Sequence, residues 1–168
     1  MQNKIKPTFE QVLEDNKARI YRICRIYAVS PVEPEDLFQE VTFHIWQAFS
    51  TFEGRSSISS WIYRIALNVC IRSKNKLENI NGKMMRLEAI QFEPPASIPD
   101  MILEEKYNAL YSCMRTLNDV DQSIVILSLD ELSYKEIAKI TGLTENHIAV
   151  KMKRTRKTLL SCITSKLK

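Results

Sequence analysis

Apolar residues recur every three or four positions along most of the chain, which is the spacing of an amphipathic helix. The first half contains three such runs: Val12, Ile20, Ile23 and Ile26; Leu37, Val41, Ile45 and Phe49; and Ile58, Ile62, Ile65 and Val69. The second half contains two more: Leu103, Leu110 and Leu117; and Ile124, Ile126 and Leu127. Strand-like alternation is nearly absent. The pattern therefore predicts an all-α protein.

Prolines mark one boundary in this series of helices. Three of the six prolines fall in residues 89–100, and the pair Pro94-Pro95 cannot continue a helix. We therefore predict two small helical domains, residues 1–76 and 104–168, joined by a proline-containing linker at 77–103.

A glycine turn separates two short amphipathic segments in LSYKEIAKITGLTENHIAVKMKRTRKTL, residues 132–159. Gly142 suits a left-handed helix end, and Thr144 suits the N-cap of the next helix. At 100° per residue, that helix has an apolar face and a polar, cationic face: Ile148, Met152, Thr155 and Leu159 against Asn146, Val150, Lys153, Arg154 and Lys157. This arrangement favours a helix-turn-helix that enters the DNA major groove over a C-terminal helix with solvated lysines.

Charge is unevenly distributed along the chain, although the net charge is only +4. From Glu131 onward, nine Lys/Arg stand against three acidic residues, a local balance of +6. Residues 50–76 carry five Lys/Arg against Glu53 alone, whereas residues 31–50 carry four acidic residues and no positive charge. The two basic regions predict contact with a polyanion in two places.

The sequence contains little that indicates a metal site, a cofactor site or a catalytic site. The four cysteines, Cys24, Cys70, Cys113 and Cys162, are widely spaced, so we expect reduced core residues and no metal site. No phosphate-binding glycine loop or hydrolase motif is present, and no cofactor is predicted. Asp119 and Asp121 could form a catalytic pair, but two carboxylates in a turn are more commonly caps, so we assign no catalytic residue.

No apolar run could span a bilayer and the start lacks a secretory signal, so we expect a cytoplasmic protein without membrane insertion.

Two segments resemble sigma factors of bacterial RNA polymerase. Residues 132–159 resemble sigma region 4 through an aromatic residue, E-I-A, a turn glycine and a basic R-x-R: Tyr134, Glu136 to Ala138, Gly142, and Arg154 with Arg156. Residues 35–70 resemble region 2 of the extracytoplasmic-function (ECF) class through these positions: Asp36, Leu37, Gln39, Glu40, Phe52, Gly54, Trp61, Tyr63, Arg64, Ile65, Ala66 and Asn68. The order and two-domain layout are similar to those of an ECF sigma factor of the sigma-70 family.

The resemblance implies a subunit that directs core RNA polymerase to promoter DNA and begins promoter melting. The residues implied in polymerase binding are Asp36, Gln39 and Glu40. Those implied at the minus-ten element are Phe52, Arg55, Tyr63, Arg64, Asn68 and Arg72, with Asn68 at the position that reads an extruded base. Those implied at the minus-thirty-five element are Thr144, Glu145, Asn146, His147, Lys151, Lys153, Arg154, Arg156 and Lys157. The family analogy also predicts an anti-sigma factor as a partner.

Structural roles are expected for some of the same residues. Trp61 and Ile65 should pack in the core, and Glu35 and Asp36 should also cap the helix that follows Pro34. The alternative to a sigma factor is a stand-alone helix-turn-helix regulator. Such a regulator would use residues 132–159 in the same way, but it leaves the acidic segment 33–40 and the basic aromatic segment 51–76 unexplained.

Overall fold

The computed structural model of the chain describes residues 7–81 and 101–168. These residues form helices α1 (Phe9–Tyr27), α2 (Pro34–Phe49), α3 (Ile58–Asn81), α4 (Met101–Met114), α5 (Asp119–Leu129), α6 (Tyr134–Thr141) and α7 (Glu145–Lys166). Within those two ranges there is no strand, so the prediction of an all-α protein is confirmed.

The helices are grouped into two compact units, residues 1–80 and 81–168. The ends of the predicted linker, residues 77–81 and 101–103, are helical, because α3 continues to Asn81 and α4 begins at Met101. The proline-rich boundary at 89–100 lies outside the described residues, and the exact domain bounds stay a prediction.

Helices α1 and α2 of the first unit each begin with a reciprocal cap. Thr8 Oγ1 accepts a hydrogen bond from the Gln11 N–H, and Gln11 Oε1 accepts one from the Thr8 N–H. At the start of α2, the Glu33 N–H donates to Asp36 Oδ2 at 3.1 Å, which confirms the expected capping role of Asp36. Proline occupies the first turn of α2, where no backbone donor is needed.

The predicted apolar stripes form the core of the first unit. Helices α1 and α2 pack against each other, and they bury these residues: Val12, Ile20, Ile23 and Ile26 from α1, and Leu37, Val41 and Ile45 from α2. Helix α3 buries Ile62 and Val69 of its predicted stripe, whereas Ile58 and Ile65 are half-buried. These buried faces leave the opposite sides of α2 and α3 facing solvent.

The second unit is built from α4 to α7, with α5, α6 and α7 packed against one another and α4 packed on α7. The predicted residues of α5, Ile124, Ile126 and Leu127, are buried. The stripe predicted for α4 is different from the observed one: Leu103 is 43% exposed, and Ala109, Cys113 and Met114 are buried instead. Leu117 follows the end of α4 at Met114, so the run of three leucines crosses a helix boundary.

The expectation that all four cysteines are reduced is wrong for Cys113 and Cys162, which form a disulfide between α4 and α7. Their Cα atoms lie 5.9 Å apart, within disulfide range, although 49 positions separate them in the sequence. The packing of α4 on α7 brings them together, and the sequence spacing carries no sign of it. Cys24 and Cys70 are free and buried, as expected.

Candidate nucleic-acid interface

The helix-turn-helix consists of α6, a tight turn at Gly142, and α7. Ser133 caps α6: its hydroxyl oxygen accepts from the Glu136 N–H, and the Glu136 carboxylate accepts from the Ser133 N–H and hydroxyl. These hydrogen bonds hold the pKa of Glu136 below its ordinary value. Gly142 has φ of 77°, the left-handed conformation that its sequence position predicts. Thr144 Oγ1 then accepts from the His147 N–H at 3.2 Å, so Thr144 is the N-cap of α7 as predicted.

The two faces of α7 are those predicted from its periodicity. Ile148, Met152, Thr155 and Leu159 are the buried residues of the helix. Eight of the nine residues predicted to lie at the minus-thirty-five element are exposed: Thr144, Glu145, Asn146, His147, Lys153, Arg154, Arg156 and Lys157. Their side chains present amide, imidazole and cationic groups to solvent on a helix whose other side is fixed in the core.

Lys151 is the ninth residue of that set, and the structure places it differently. Its Nζ atom donates to Asp121 Oδ1 on α5 at 2.9 Å, and its side chain is 26% exposed. Lys151 therefore lies at the edge of the packed face of α7, already paired with a carboxylate, and not among the exposed cations.

A second polar surface runs along α3. Arg64, Asn68 and Arg72 are exposed and follow one another at intervals of four residues. Asn68 and Arg72 also line an open groove with Asn75, Lys76 and Asn79. Because side chains three or four positions apart share a helix face, the surface extends about three turns beyond Asn68. Sequence reasoning missed Asn75 and Asn79, although their spacing from Asn68 indicates the same face.

Other residues predicted for the minus-ten element are less accessible or already engaged. Tyr63 is only 3% exposed, so it lies in the core and not on the surface expected of a DNA contact. Burial raises the pKa of the Tyr63 hydroxyl, and the nearby charge of Arg19 and Arg22 opposes that shift. Lys74, in the same basic region, lies 6.0 Å from the centre of the Tyr27 ring.

The loop before α3 carries the remaining predicted contacts. Phe52 is half-buried, with its ring centroid 5.0 Å from that of Trp61. Trp61 is itself half-buried, so these two rings form a partly exposed aromatic pair and not a fully enclosed core contact. Gly54 adopts φ of 72° in this loop. Arg55 forms an exposed ion pair with Glu53 at 2.6 Å, an interaction that contributes little in water and leaves Arg55 accessible to a phosphate.

Helix α2 presents a third surface, which we call the acidic-aromatic face and define by Asp36, Gln39, Glu40, Phe43 and Trp46. All five side chains are exposed and recur every three or four residues, opposite the buried stripe of α2. Phe43 and Trp46 are 52% and 60% exposed, and their rings stack with centroids 6.2 Å apart. Sequence reasoning assigned the three polar residues but missed the two aromatic ones, whose spacing places them on the same face.

A neighbouring acidic side chain has a structural role. Glu35 accepts a hydrogen bond from the hydroxyl of Tyr21 on α1, and this bond lowers the pKa of Glu35 and raises that of Tyr21. Glu35 therefore joins α2 to α1 and stands outside the acidic-aromatic face.

Among the residues that the structure describes, no group of three or more His, Cys, Asp or Glu is placed to hold a metal ion. The helices described here include none that is long and apolar enough to cross a membrane.

A helix-turn-helix in one unit and a polar, cationic helix face in the other are features of a DNA-binding protein. The sigma-70 region 2 model matches residues 12–79, and the sigma-70 region 4 model matches residues 107–159. The chain belongs to the sigma-70 family, in its ECF class.

Curated relatives agree with this family. The chain is 24% identical over 161 residues to the ECF RNA polymerase sigma factor SigW of Bacillus subtilis, covering 90% of this chain and 86% of the relative. It is 27% identical over 137 residues to the ECF RNA polymerase sigma-E factor of Escherichia coli, covering 74% and 70% of the two chains.

Among solved structures, the fold is similar to the sigma factor RpoE in complex with the anti-sigma factor NepR from Bartonella quintana. The TM-score is 0.78 at 18% identity, covering 93% of this chain and 96% of the other. It is also similar to CnrH in complex with the cytosolic domain of CnrY, with a TM-score of 0.67 at 16% identity and coverage of 94% and 88%.

Proposed function

We propose that this chain directs core RNA polymerase to specific promoters and begins promoter melting, as an ECF-type sigma factor. The observation that carries the proposal is the presence of three separate surfaces in one chain: the acidic-aromatic face of α2, the polar face of α3 and the cationic face of α7. A stand-alone helix-turn-helix regulator needs only the third surface. The first two give this chain a means to bind a protein and a melted strand.

The acidic-aromatic face is the proposed docking surface for core polymerase. Asp36, Gln39 and Glu40 supply hydrogen-bond acceptors and negative charge, and Phe43 and Trp46 supply apolar area. Stacked aromatic side chains that become buried on association commonly dominate the binding energy of an interface. The buried stripe on the opposite side of α2 holds these groups in place before binding, which limits the entropy lost on docking.

The polar face of α3 is the proposed site for the separated minus-ten strand. Arg64 and Arg72 supply charge for phosphates on either side of Asn68, whose amide can both donate to and accept from a base edge. The Phe52–Trp61 pair, at the start of this surface, offers a partly exposed ring for stacking. Capture of an extruded base and of the separated strand would shift the duplex equilibrium toward melting without hydrolysis. No catalytic residue is proposed.

The cationic face of α7 is the proposed contact with the minus-thirty-five element. Lys153, Arg154 and Lys157 can neutralise phosphates, while Glu145 and Asn146 lie in the first turn, which enters the major groove in a helix-turn-helix. Thr144 fixes the start of α7, the end that would enter the major groove, because its hydroxyl oxygen caps the helix there.

Association with core polymerase tests the proposal directly. The purified chain is mixed with core bacterial RNA polymerase and examined by size-exclusion chromatography, with Trp46→Ala and Glu40→Ala as the test variants. Leu160→Ala is the matched control, because Leu160 is 69% exposed and lies on α7 of the other unit. We expect co-elution of wild type and control. If Trp46 contributes about 2 kcal/mol as a buried aromatic contact, the Trp46→Ala variant should bind core polymerase about 30-fold more weakly than wild type.

Two results would count against this assignment. A folded wild-type chain that does not co-elute would favour the stand-alone regulator. Equal co-elution of wild type, Trp46→Ala and Glu40→Ala would show that polymerase binds elsewhere on the chain.

The proposed partners include an anti-sigma factor, since the similar sigma factor RpoE was solved in complex with the anti-sigma factor NepR. A partner of this kind would regulate the chain by covering its polymerase-binding surface. Core polymerase and the anti-sigma factor should then compete for binding, and Trp46→Ala should weaken both associations.

A further inference from the structure

The first turn of α5 holds α7 by a charged contact that is distinct from the cationic face. Lys151 Nζ donates to Asp121 Oδ1 at 2.9 Å. The side chains of Asp121 and Lys151 are 20% and 26% exposed, so solvent screens this pair less than it would a surface ion pair.

Asp121 is also held in position by hydrogen bonds that do not involve Lys151. Its second carboxylate oxygen, Oδ2, accepts from Asn118 Nδ2 at 2.8 Å, and its backbone N–H donates to Asn118 Oδ1 at 2.9 Å. The next residue, Gln122, is buried and donates from Nε2 to the backbone oxygen of Met114 at the end of α4. The α5 turn is therefore held to α4 on one side, and its carboxylate is oriented toward α7 on the other.

Apart from the Cys113–Cys162 disulfide near its C-terminal end, α7 contacts the core mainly through apolar side chains. Ile148, Met152 and Leu159 are buried, and apolar burial fixes distance better than direction. The Lys151–Asp121 hydrogen bond adds a directional contact beside Met152, at the level of the residues that face DNA. The orientation of this helix decides which side chains reach base edges.

We propose that Asp121 is a positioning residue for promoter recognition, which holds Lys151 against α5 and withholds its charge from the DNA backbone. This inference rests on the proposed contact of α7 with duplex DNA. It replaces the DNA contact that the family resemblance implies for Lys151 with a role inside the protein. The DNA-facing cations nearby are then Lys153, Arg154 and Lys157.

Salt dependence of duplex binding distinguishes the two roles of Lys151. Each phosphate contact contributes about 0.9 to the slope of log affinity against log salt. The full chain is titrated by fluorescence anisotropy with a labelled random-sequence duplex between about 50 and 200 mM salt. Lys151→Met should keep the wild-type slope, whereas Arg154→Ala should lose about one unit of slope.

Asp121→Asn supplies the opposite change at nearly constant shape. Without the Asp121 carboxylate, Lys151 is free to contact a phosphate, so the slope of log affinity against log salt should steepen by about one unit. The ratio of variant to wild-type affinity should therefore change about fourfold between about 50 and 200 mM salt. Asp121→Glu keeps the charge and should restore the wild-type slope. In selection from a random duplex library, Asp121→Asn should enrich a broader set of sequences than wild type, a readout that loss of stability alone would not produce.

Three results would overturn the inference. A Lys151→Met slope lowered as much as that of Arg154→Ala would show that Lys151 reaches phosphate and leaves Asp121 when DNA binds. An Asp121→Asn variant with wild-type slope and wild-type sequence selection would remove the positioning role. A wild-type chain that binds no duplex would overturn the proposed DNA contact of α7 together with the inference. The first two results would overturn only the inference, so the two kinds of failure are distinguishable. Lys151→Met carries the test by itself if Asp121→Asn does not fold.

Discussion

Reduction of the Cys113–Cys162 disulfide should destabilise the second unit and leave the first unit unchanged. The bond joins α4 to the last turns of α7 across 49 positions of sequence. For a loop of that length, the lost entropy of the unfolded chain corresponds to about 4 kcal/mol. Small domains have a total free energy of unfolding of about 5–15 kcal/mol, so the reduced second unit should be only marginally stable.

The distribution of tryptophan allows both units to be followed in one intact chain. Trp46 and Trp61 are the only tryptophans, and both lie in the first unit. In a urea titration, tryptophan fluorescence therefore reports the first unit, whereas far-UV circular dichroism reports the helices of both. With an m-value of about 2 kcal/mol per molar, reduction should move the second unit's transition about 2 M lower in urea. The fluorescence midpoint should stay where it is.

Thiol chemistry provides the controls for this experiment. The chain has four cysteines, of which Cys24 and Cys70 are free, so a thiol assay on the denatured protein should detect two reactive thiols before reduction and four afterwards. The hydrogen bond with Cys24 and burial both raise the pKa of Cys70, so it should remain an unreactive thiol in the folded chain. The double variant Cys113→Ser, Cys162→Ser should reproduce the reduced protein.

A dichroism transition that reduction leaves unmoved would refute this reasoning. It would mean that the unfolded second unit is already as compact without the bond as with it. An equal shift in fluorescence and dichroism would instead show that the two units unfold together. If the predicted shift is observed, a reducing environment would keep the helix-turn-helix unit near its stability limit.

Four further substitutions probe the two glycine turns, the cap of α6 and the proposed melting surface. Gly142→Ala and Gly54→Ala should each lower the free energy of unfolding by about 1 kcal/mol, because both glycines have left-handed φ while an added Cβ meets nothing within 4 Å. Dichroism should detect the loss at Gly142 and fluorescence the loss at Gly54. No loss of stability in either variant would contradict the backbone argument. Ser133 lowers the pKa of Glu136, so the carboxylate stabilises the second unit above the unfolded-state pKa of about 4.3, and this stability is lost as pH falls through the folded value. Glu136→Gln should flatten that part of the acid unfolding curve, and an unaltered curve would exclude the cap as its source. Asn68→Ala should spare polymerase co-elution but reduce permanganate reactivity of the melted strand, whereas full promoter opening would argue against base reading.

Local features of the helix-turn-helix were predictable from the sequence because they depend on neighbouring residues. The four buried residues of α7 follow from helical periodicity, and the conformation of Gly142 follows from the need for a left-handed residue at the helix end. The exposure of Phe43 and Trp46 was available from the same periodicity, since they lie opposite the buried stripe of α2. Aromatic residues are usually buried, and that tendency concealed the pattern.

Contacts between distant segments were not predictable in this way. Lys151 falls in a basic run that matches a DNA-binding motif, but its partner Asp121 lies 30 positions earlier, on another helix. Periodicity assigns a residue to a helix face and carries no information about which distant side chain lies opposite that face. The same limit applies to Cys113 and Cys162, and to Tyr63, whose motif position suggested a surface that its packing removes.

The two proposed DNA surfaces also differ in chemistry, and this difference fits the two forms of DNA that they would bind. The polar side chains that line the groove along α3 are three amides, Asn68, Asn75 and Asn79, with Arg72 and Lys76 between them, and two isoleucines complete the lining. Amides can pair with base edges, which become accessible when the strands separate. The exposed face of α7 is dominated by cations, which suit the dense phosphate charge of an intact duplex. Because Lys151 is paired with Asp121, the proposed attraction of α7 for DNA would depend on the cations farther from the core. A duplex could approach these cations without disturbing the packing that orients the helix.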